Sequence, residues 1–342
     1  MFDYFSPDHG VSLGKSSERL VVRKSGKLVE EIALFDIRSI TVQHRGVSLS
    51  SDLIMLCAEH GIDIVFLDNL ETPVASLYST QIAGNLSTLR AQFHAVDTRQ
   101  GAQLSSRLIA EQIRGRVRLL RYVARRSNDS ADFKHLTDQM LELRERVLSL
   151  SARPRPEFFA ELMGLEGAAT RNYWAALRDT VEPGLFGQRE GRGAEDTVNR
   201  SLNYGYAVLS NRIWAMCVRA GLDPRAGLMH RDRPGRHSLV QDLIEPWRVL
   251  VDDAVFGLCR RRKVEAEVVP SGWMNLVVDE VLNRLEAQVM YRGESVRVAT
   301  AMQRSVREVA AFLRGEGKLQ VYRWDVRGPK APEADPFAEV FG

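Results

Sequence analysis

A change of period near residue 84 constrains this chain more than any other feature. Before it, short runs alternate apolar and polar residues, the two-residue repeat of strands. After it, apolar residues recur every three and four, the repeat of helices. A strand-rich stretch followed by a helical one reads as α+β, because sheets and helix stripes bury their apolar faces in different ways. The expectation is a small β-strand-rich domain over residues 1–82, a larger all-α domain over 83–322, and a flexible tail over 323–342 rich in proline and charge. The 342 residues are enough for two such domains.

In the first part, Arg19 to Lys24 and Lys27 to Ile32 flank Ser25-Gly26, a two-residue hairpin signal. Ile37 to Val42, Ile62 to Leu67 and Val74 to Tyr78 are further strands, and Ser50 or Ser51 caps a short helix that ends at Gly61. In the second part, helices are expected over 86–126, 131–150, 157–180 and 196–220, with two or three more over 238–315. Pro156 suits a first helical turn. Glu182 to Glu195, with its glycines, reads as a mobile loop. Val198, Leu202, Leu209, Ile213 and Met216 make the apolar stripe of the 196–220 helix.

Arginine dominates the basic residues: only seven of the 47 are lysine. Arginine forks match phosphate oxygens, but a base-composition bias explains the same count more simply. Cys57, Cys217 and Cys259 are far apart, which suits buried free thiols in a reducing compartment and neither a disulfide framework nor a zinc site. The N-terminus lacks a basic n-region, and no apolar run reaches the ~18 residues of a membrane span. A cytoplasmic protein with no membrane partner is expected.

The candidate chemistry lies between residues 161 and 250. Glu166 interrupts an apolar helical face made by Phe159, Met163, Tyr173 and Leu177. A carboxylate there must be paired, protonated or metal-bound. An ion pair, with Arg171 as partner, is the commoner explanation. His230 follows a proline-containing turn from Gly221 and by itself is an ordinary loop residue. Asp242 and Glu245 share a helical face if the helix starts at Ser238; Pro246 then kinks it beside the two acids. Asp242 can equally be an N-cap, with Glu245 closing a capping box. Asn199, Asn203, Tyr206 and Ser210 form a polar line that is either solvated or positions a backbone phosphate. The arginines from Arg107 to Arg126 make a solvated face or a phosphate-tracking one. One imidazole and several carboxylates suit a hard or borderline divalent cation. A Gly-rich phosphate loop, a Cys-x-x-Cys pair and a nucleophile elbow are all lacking.

Taken in order, the motifs carry a resemblance. Leu162-Met-Gly-Leu-Glu166-Gly, Asp196-x-Val-Asn199-x-x-Leu-x-Tyr-x-Tyr206, Gly221-Leu-Asp-Pro-x-x-Gly-x-x-His230 and Asp242-Leu-x-Glu245-Pro-x-Arg248 resemble the CRISPR-associated integrase family, the catalytic subunit of spacer acquisition. The β-then-α layout is also that family's. The chain departs from the family pattern in a slightly longer step from His230 to the acids and in lacking a proline just before Asp196. The resemblance implies a Mg²⁺ or Mn²⁺ site built from Glu166, His230 and Glu245, with Asp242 as an adjacent catalytic acid that orients His230 or takes up a proton. It implies DNA positioning by Asn199, Tyr206 and Arg248. It also implies a homodimer formed through the β domains, a small ferredoxin-like partner subunit, and double-stranded DNA as both incoming fragment and CRISPR repeat. The implied reaction is attack of a 3′-hydroxyl on a phosphodiester. A plain metal-dependent nuclease and a non-catalytic DNA-binding scaffold are the alternatives.

Overall fold

The structure is a computed structural model that describes residues 2–6, 9–42, 44–67, 73–77, 86–124, 130–150, 157–191, 193–230, 236–262, 264–266, 268–270, 272–319 and 321. Tyr78, residues 125–129, Pro156 and the tail beyond Tyr322 lie outside the described residues. The chain divides into two compact units, Met1–Leu86 and Ser87–Gly342.

The first unit holds β1 (Phe2–Phe5), β2 (Val11–Ser16), β3 (Arg19–Lys24), β4 (Lys27–Ala33), β5 (Ile37–Val42), β6 (Ser48–Leu49), α1 (Ser51–Glu59), β7 (Asp63–Leu67) and β8 (Pro73–Leu77). They form two four-stranded sheets, ordered β1-β5-β7-β8 and β4-β3-β2-β6. The β3–β4 hairpin turns on Ser25 and Gly26, both with positive φ, as its twist requires. Ser50 caps α1 by accepting from the Leu53 N–H. The apolar alternation buries Leu13, Leu20, Val22, Ile37, Ile40, Leu53 and Ile64 in one core. Sequence reading overlooked β1, β2 and β6, which are short or carry glycine and lysine.

The second unit holds α2 (Leu86–Ala95), α3 (Arg99–Ala124), α4 (Ser130–Ser149), α5 (Phe158–Arg178), α6 (Thr197–Arg219), α7 (Ser238–Ile244), α8 (Arg248–Arg261), α9 (Trp273–Glu286), β9 (Gln288–Tyr291), β10 (Glu294–Arg297) and α10 (Val298–Leu313). The helical stretch expected over 86–126 is divided by a turn in which the Thr98 N–H and hydroxyl both donate to the Ala95 carbonyl. The β9–β10 hairpin, turning on Arg292 and Gly293 at positive φ, was not registered by periodicity in an otherwise helical unit. Among the described residues, no helix is long and apolar enough to cross a membrane.

α3 is the axis of this unit. Most of its 26 residues are buried, including Glu111, Gln112 and Arg116. Its arginines are therefore not a uniform solvated face, and Arg116 is turned fully inward. α6 lies close against α8 because residue 205 is glycine: a Cβ there would stand 2.5 Å from Val251 Cγ1. Cys57, Cys217 and Cys259 are free and buried, and burial raises all three thiols, Cys57 and Cys259 to about 12. They are unreactive core groups.

Candidate active site

Two helices and a turn deliver the acids. Glu166 comes from the middle of α5. Glu245 comes from the 3₁₀ turn Glu245–Trp247 that joins α7 to α8. α7 starts at Ser238, so Asp242 is not an N-cap. Pro246 cannot supply an N–H to an α-helical ladder, and the chain tightens into the 3₁₀ turn at that point.

Glu166 and Glu245 line one pocket of about 160 Å³, together with Arg116, Trp174, Arg189, Tyr206 and Arg248. Three guanidinium groups thus face two carboxylates. Gln112, from α3, joins the acids: its Nε2 donates to Glu166 Oε1 at 3.3 Å and also to Glu245 Oε2. Glu166 also accepts from the Thr170 hydroxyl at 2.6 Å, and Arg116 stands 3.6 Å away. Its ion-pair partner is therefore Arg116 across the helix interface and not Arg171, the expected neighbour. Arg116 donates to Thr170 Oγ1 at 2.6 Å and lies over the Tyr173 and Trp174 rings. Arg248 donates from Nε to Glu245 at 3.0 Å and from a terminal nitrogen to Gln241 at 3.2 Å. Burial works against the Arg248 charge, but Glu245 and Tyr206 outweigh it and raise its pKa.

A buried acid supports the wall behind the pocket. Asp252 is fully buried and accepts from the hydroxyls of Tyr206 and Tyr173, the latter at 2.7 Å. Burial pushes the Asp252 carboxyl up, while Arg116 and the two hydroxyls pull it back. Burial and the nearby Asp252 raise both tyrosines, so they stay protonated donors. Arg189 and Arg248 lie on the Tyr206 ring, at 5.4 and 4.9 Å from its centroid.

The polar line on α6 is neither solvated nor aimed at the pocket along its whole length. Asn199 is 1% exposed. Its Oδ1 accepts from the Glu190 N–H and Arg189, and its Nδ2 donates to the Gln188 carbonyl. Asn203 accepts from Arg189 at 2.6 Å and donates to the Gly191 carbonyl at 2.8 Å. The two asparagines bond to residues 188–191 of the loop and set Arg189 beside the pocket. Of the three residues expected to position DNA, Tyr206 and Arg248 line the pocket, whereas Asn199 holds the loop.

His230 pairs with Asp242. Asp242 is fully buried. It accepts from the backbone N–H groups of Leu228, Met229 and His230 at 2.5, 3.0 and 3.0 Å, and its Oδ1 is 2.6 Å from His230 Nδ1. Its hydrogen bonds shape this loop and fix the orientation of the His230 ring. Gln92 clamps the same turn, donating to the Asp223 and Ala226 carbonyls and accepting from the Asp223 N–H. Gly227 is needed there, since a Cβ would stand 2.5 Å from the His230 carbonyl oxygen.

His230 does not line the pocket. Among the described residues, no three His, Cys, Asp or Glu side chains are grouped so that they could hold an ion. The three-residue shell of Glu166, His230 and Glu245 is thus not assembled in this structure. The acids are joined by the Gln112 amide and screened by Arg116 and Arg248, and Asp242 claims His230 Nδ1. The two glutamates still suit a hard cation by their donor chemistry, because both oxygens converge on one polar hydrogen-bearing nitrogen, a position of positive charge. Sequence reasoning missed Gln112, Arg116, Trp174 and Arg189. The clues were Gln112 and Arg116 at a four-residue spacing, and Asn199 and Asn203 one turn apart behind a glycine-rich loop.

The profile of the family described as CRISPR associated protein Cas1 matches residues 5–271. The CRISPR-associated endonuclease Cas1 1 of Pyrobaculum aerophilum is 36% identical over 252 residues, which is 73% of this chain and 80% of that protein. A casposase bound to integration product has a similar fold, with a TM-score of 0.76 at 21% identity over 99% of this chain and 98% of that one. So does a chain of a Cas6-RT-Cas1–Cas2 complex, with a TM-score of 0.72 at 17% identity over 94% of this chain and 36% of that one. The profile spans both the strand-rich unit and the pocket, and with the identity to the Pyrobaculum protein it establishes that this chain belongs to the CRISPR associated protein Cas1 family.

Proposed function

We propose that the protein is a metal-dependent DNA integrase and endonuclease, which inserts short foreign DNA fragments into a CRISPR array by 3′-hydroxyl attack on a phosphodiester. The observation that carries this reading is one pocket lined by two glutamates and three arginines. Carboxylates are the donors a Mg²⁺ or Mn²⁺ ion prefers, and arginines are the donors a phosphodiester prefers. The ion would be held by Glu166 and Glu245, with His230 as the third donor. Asp242 on Nδ1 leaves the ring's Nε2 for that purpose. When bound, the ion would polarise the scissile phosphate and favour ionisation of the attacking hydroxyl.

The chain's own side chains do the rest. Arg116, Arg189 and Arg248 are each fixed by a second contact before substrate arrives, so they meet developing phosphate charge without reorganising. Trp174 supplies a ring face for a sugar or base, while the Tyr206 ring carries Arg189 and Arg248. Asp252 keeps the Tyr206 ring in place under two arginines. The same site acts as a nuclease when water replaces the hydroxyl, a reading favoured by the name endonuclease carried by the relatives. Double-stranded DNA, a second copy of the chain and a small ferredoxin-like subunit are the proposed partners. Similarity to a chain of the Cas6-RT-Cas1–Cas2 complex supports a partner subunit, named Cas2 there, without bearing on its fold.

Strand transfer with a labelled 3′-hydroxyl donor and a repeat-containing target tests the proposal. A joined product that requires Mn²⁺, Glu166 and Glu245 is expected. Cleavage without joining would leave only the nuclease. DNA binding with neither product would leave a scaffold.

A further inference from the structure

Gln112, buried between the two pocket glutamates, carries an unmatched polar atom. It is 2% exposed and lies one turn before Arg116 on α3. Its Nε2 joins Glu166 and Glu245, yet its Oε1 is buried without a hydrogen-bond partner among the described residues. A glutamine kept for structure uses both ends, as Gln92 does in the 223–226 turn. The unused end of the Gln112 amide is a hard oxygen donor of the kind that divalent cations accept.

We infer that Gln112 is a two-state member of the site. Without an ion, its amide nitrogen holds the two glutamates together. With a divalent cation between them, a half-turn about Cγ–Cδ exchanges nitrogen for oxygen, and Oε1 joins the glutamates as a ligand. The amide turn exchanges atoms of nearly equal size, and the carboxylates need only part by about an ångström to admit the ion. The same contact that keeps two like charges together in the empty site thereby becomes part of the filled one. This rests on the reading of Glu166 and Glu245 as ion-holding residues.

Mn²⁺ affinity of the full-length protein without DNA, measured by electron paramagnetic resonance titration, tests it. Thermal unfolding with and without Mn²⁺ serves as a second readout. Gln112→Leu should bind Mn²⁺ roughly tenfold more weakly or worse. Its unfolding temperature without metal should fall, because the acids lose their bridge. Gln112→Glu should bind Mn²⁺ more tightly than wild type and should gain more stability from it. A mere spacer makes the opposite prediction, since removing a competing amide would tighten binding in Gln112→Leu. Equal or tighter binding in Gln112→Leu, or no gain in Gln112→Glu, overturns the inference and leaves the proposed function standing. If wild type shows no Mn²⁺ binding that depends on Glu166, both fall together. Gln112→Met, which keeps the volume without either polar atom, replaces Gln112→Leu if the latter does not fold.

Discussion

Asp242 and Glu245 sit three positions apart and live in opposite environments. Asp242 is sealed and saturated: three backbone N–H groups and one imidazole nitrogen surround it. Glu245 opens onto a pocket, shares a glutamine with another acid and stands beside an arginine. A saturated carboxylate builds structure, because it has nothing left to give a ligand. An incompletely matched one is available for chemistry. Pro246 separates the two roles by turning the α-helix into a 3₁₀ turn where the second acid falls.

The sharpest way to break this comparison is to truncate one acid of each kind. Glu166→Ala and Glu245→Ala should lower strand transfer by a factor on the order of 10³, the scale of losing one preorganised electrostatic group, with DNA binding and folding nearly unchanged. His230→Ala should lose strand transfer likewise. Retained joining by any of these variants removes that residue from the site. Asp242→Ala should instead appear first in stability. Three buried N–H groups would lose their acceptor, for a loss on the order of 3 kcal/mol or more, read by denaturant unfolding. Stability unaffected by that change would mean that Asp242 is not the structural acid. Asp242→Asn refines the point: its fold should survive while activity falls roughly 10- to 100-fold, as for other residues that orient a histidine.

Smaller effects are expected farther from the acids. Arg189→Lys keeps the charge but not the planar fork that Asn199 and Asn203 hold, so KM for DNA should rise more than kcat falls. An unchanged KM would exclude Arg189 from substrate contact. The smallest effect concerns His237, which heads the same α7 that carries Asp242. Burial and nearby Arg225 hold its pKa below the ordinary 6.5. The folded protein then takes up a proton there less readily than the unfolded chain. This group therefore weakens the fold as pH falls below about 6.5, and not above it. Unfolding of His237→Gln should show a smaller stability loss between pH 7 and 5 than wild type.

Much of the fold could be read from residue order. The strand-to-helix switch, the Ser25-Gly26 turn, the Ser50 cap and the helix over Thr197–Arg219 each rest on local chemistry. Glu166 stood out because a carboxylate on an apolar face demands a partner, although the partner named from sequence, Arg171, was wrong. Sequence neighbours are few and spatial ones many, and Arg116 reaches Glu166 from another helix. The polar line on α6 looked solvated because periodicity reports which side is apolar and not what covers the other side. A loop covers it.

By itself, the order of amino acids determined which elements form, that an α+β chain results, and which acids and histidine stand out as reactive types. Those properties depend on backbone propensity and on spacing within a turn or two. Only the tertiary structure decided that Gln112 lies between the two glutamates, that three arginines enclose them, and that Asp242 is spent on a loop. These are meetings of side chains up to 133 positions apart, and packing of whole helices, not local preference, sets them.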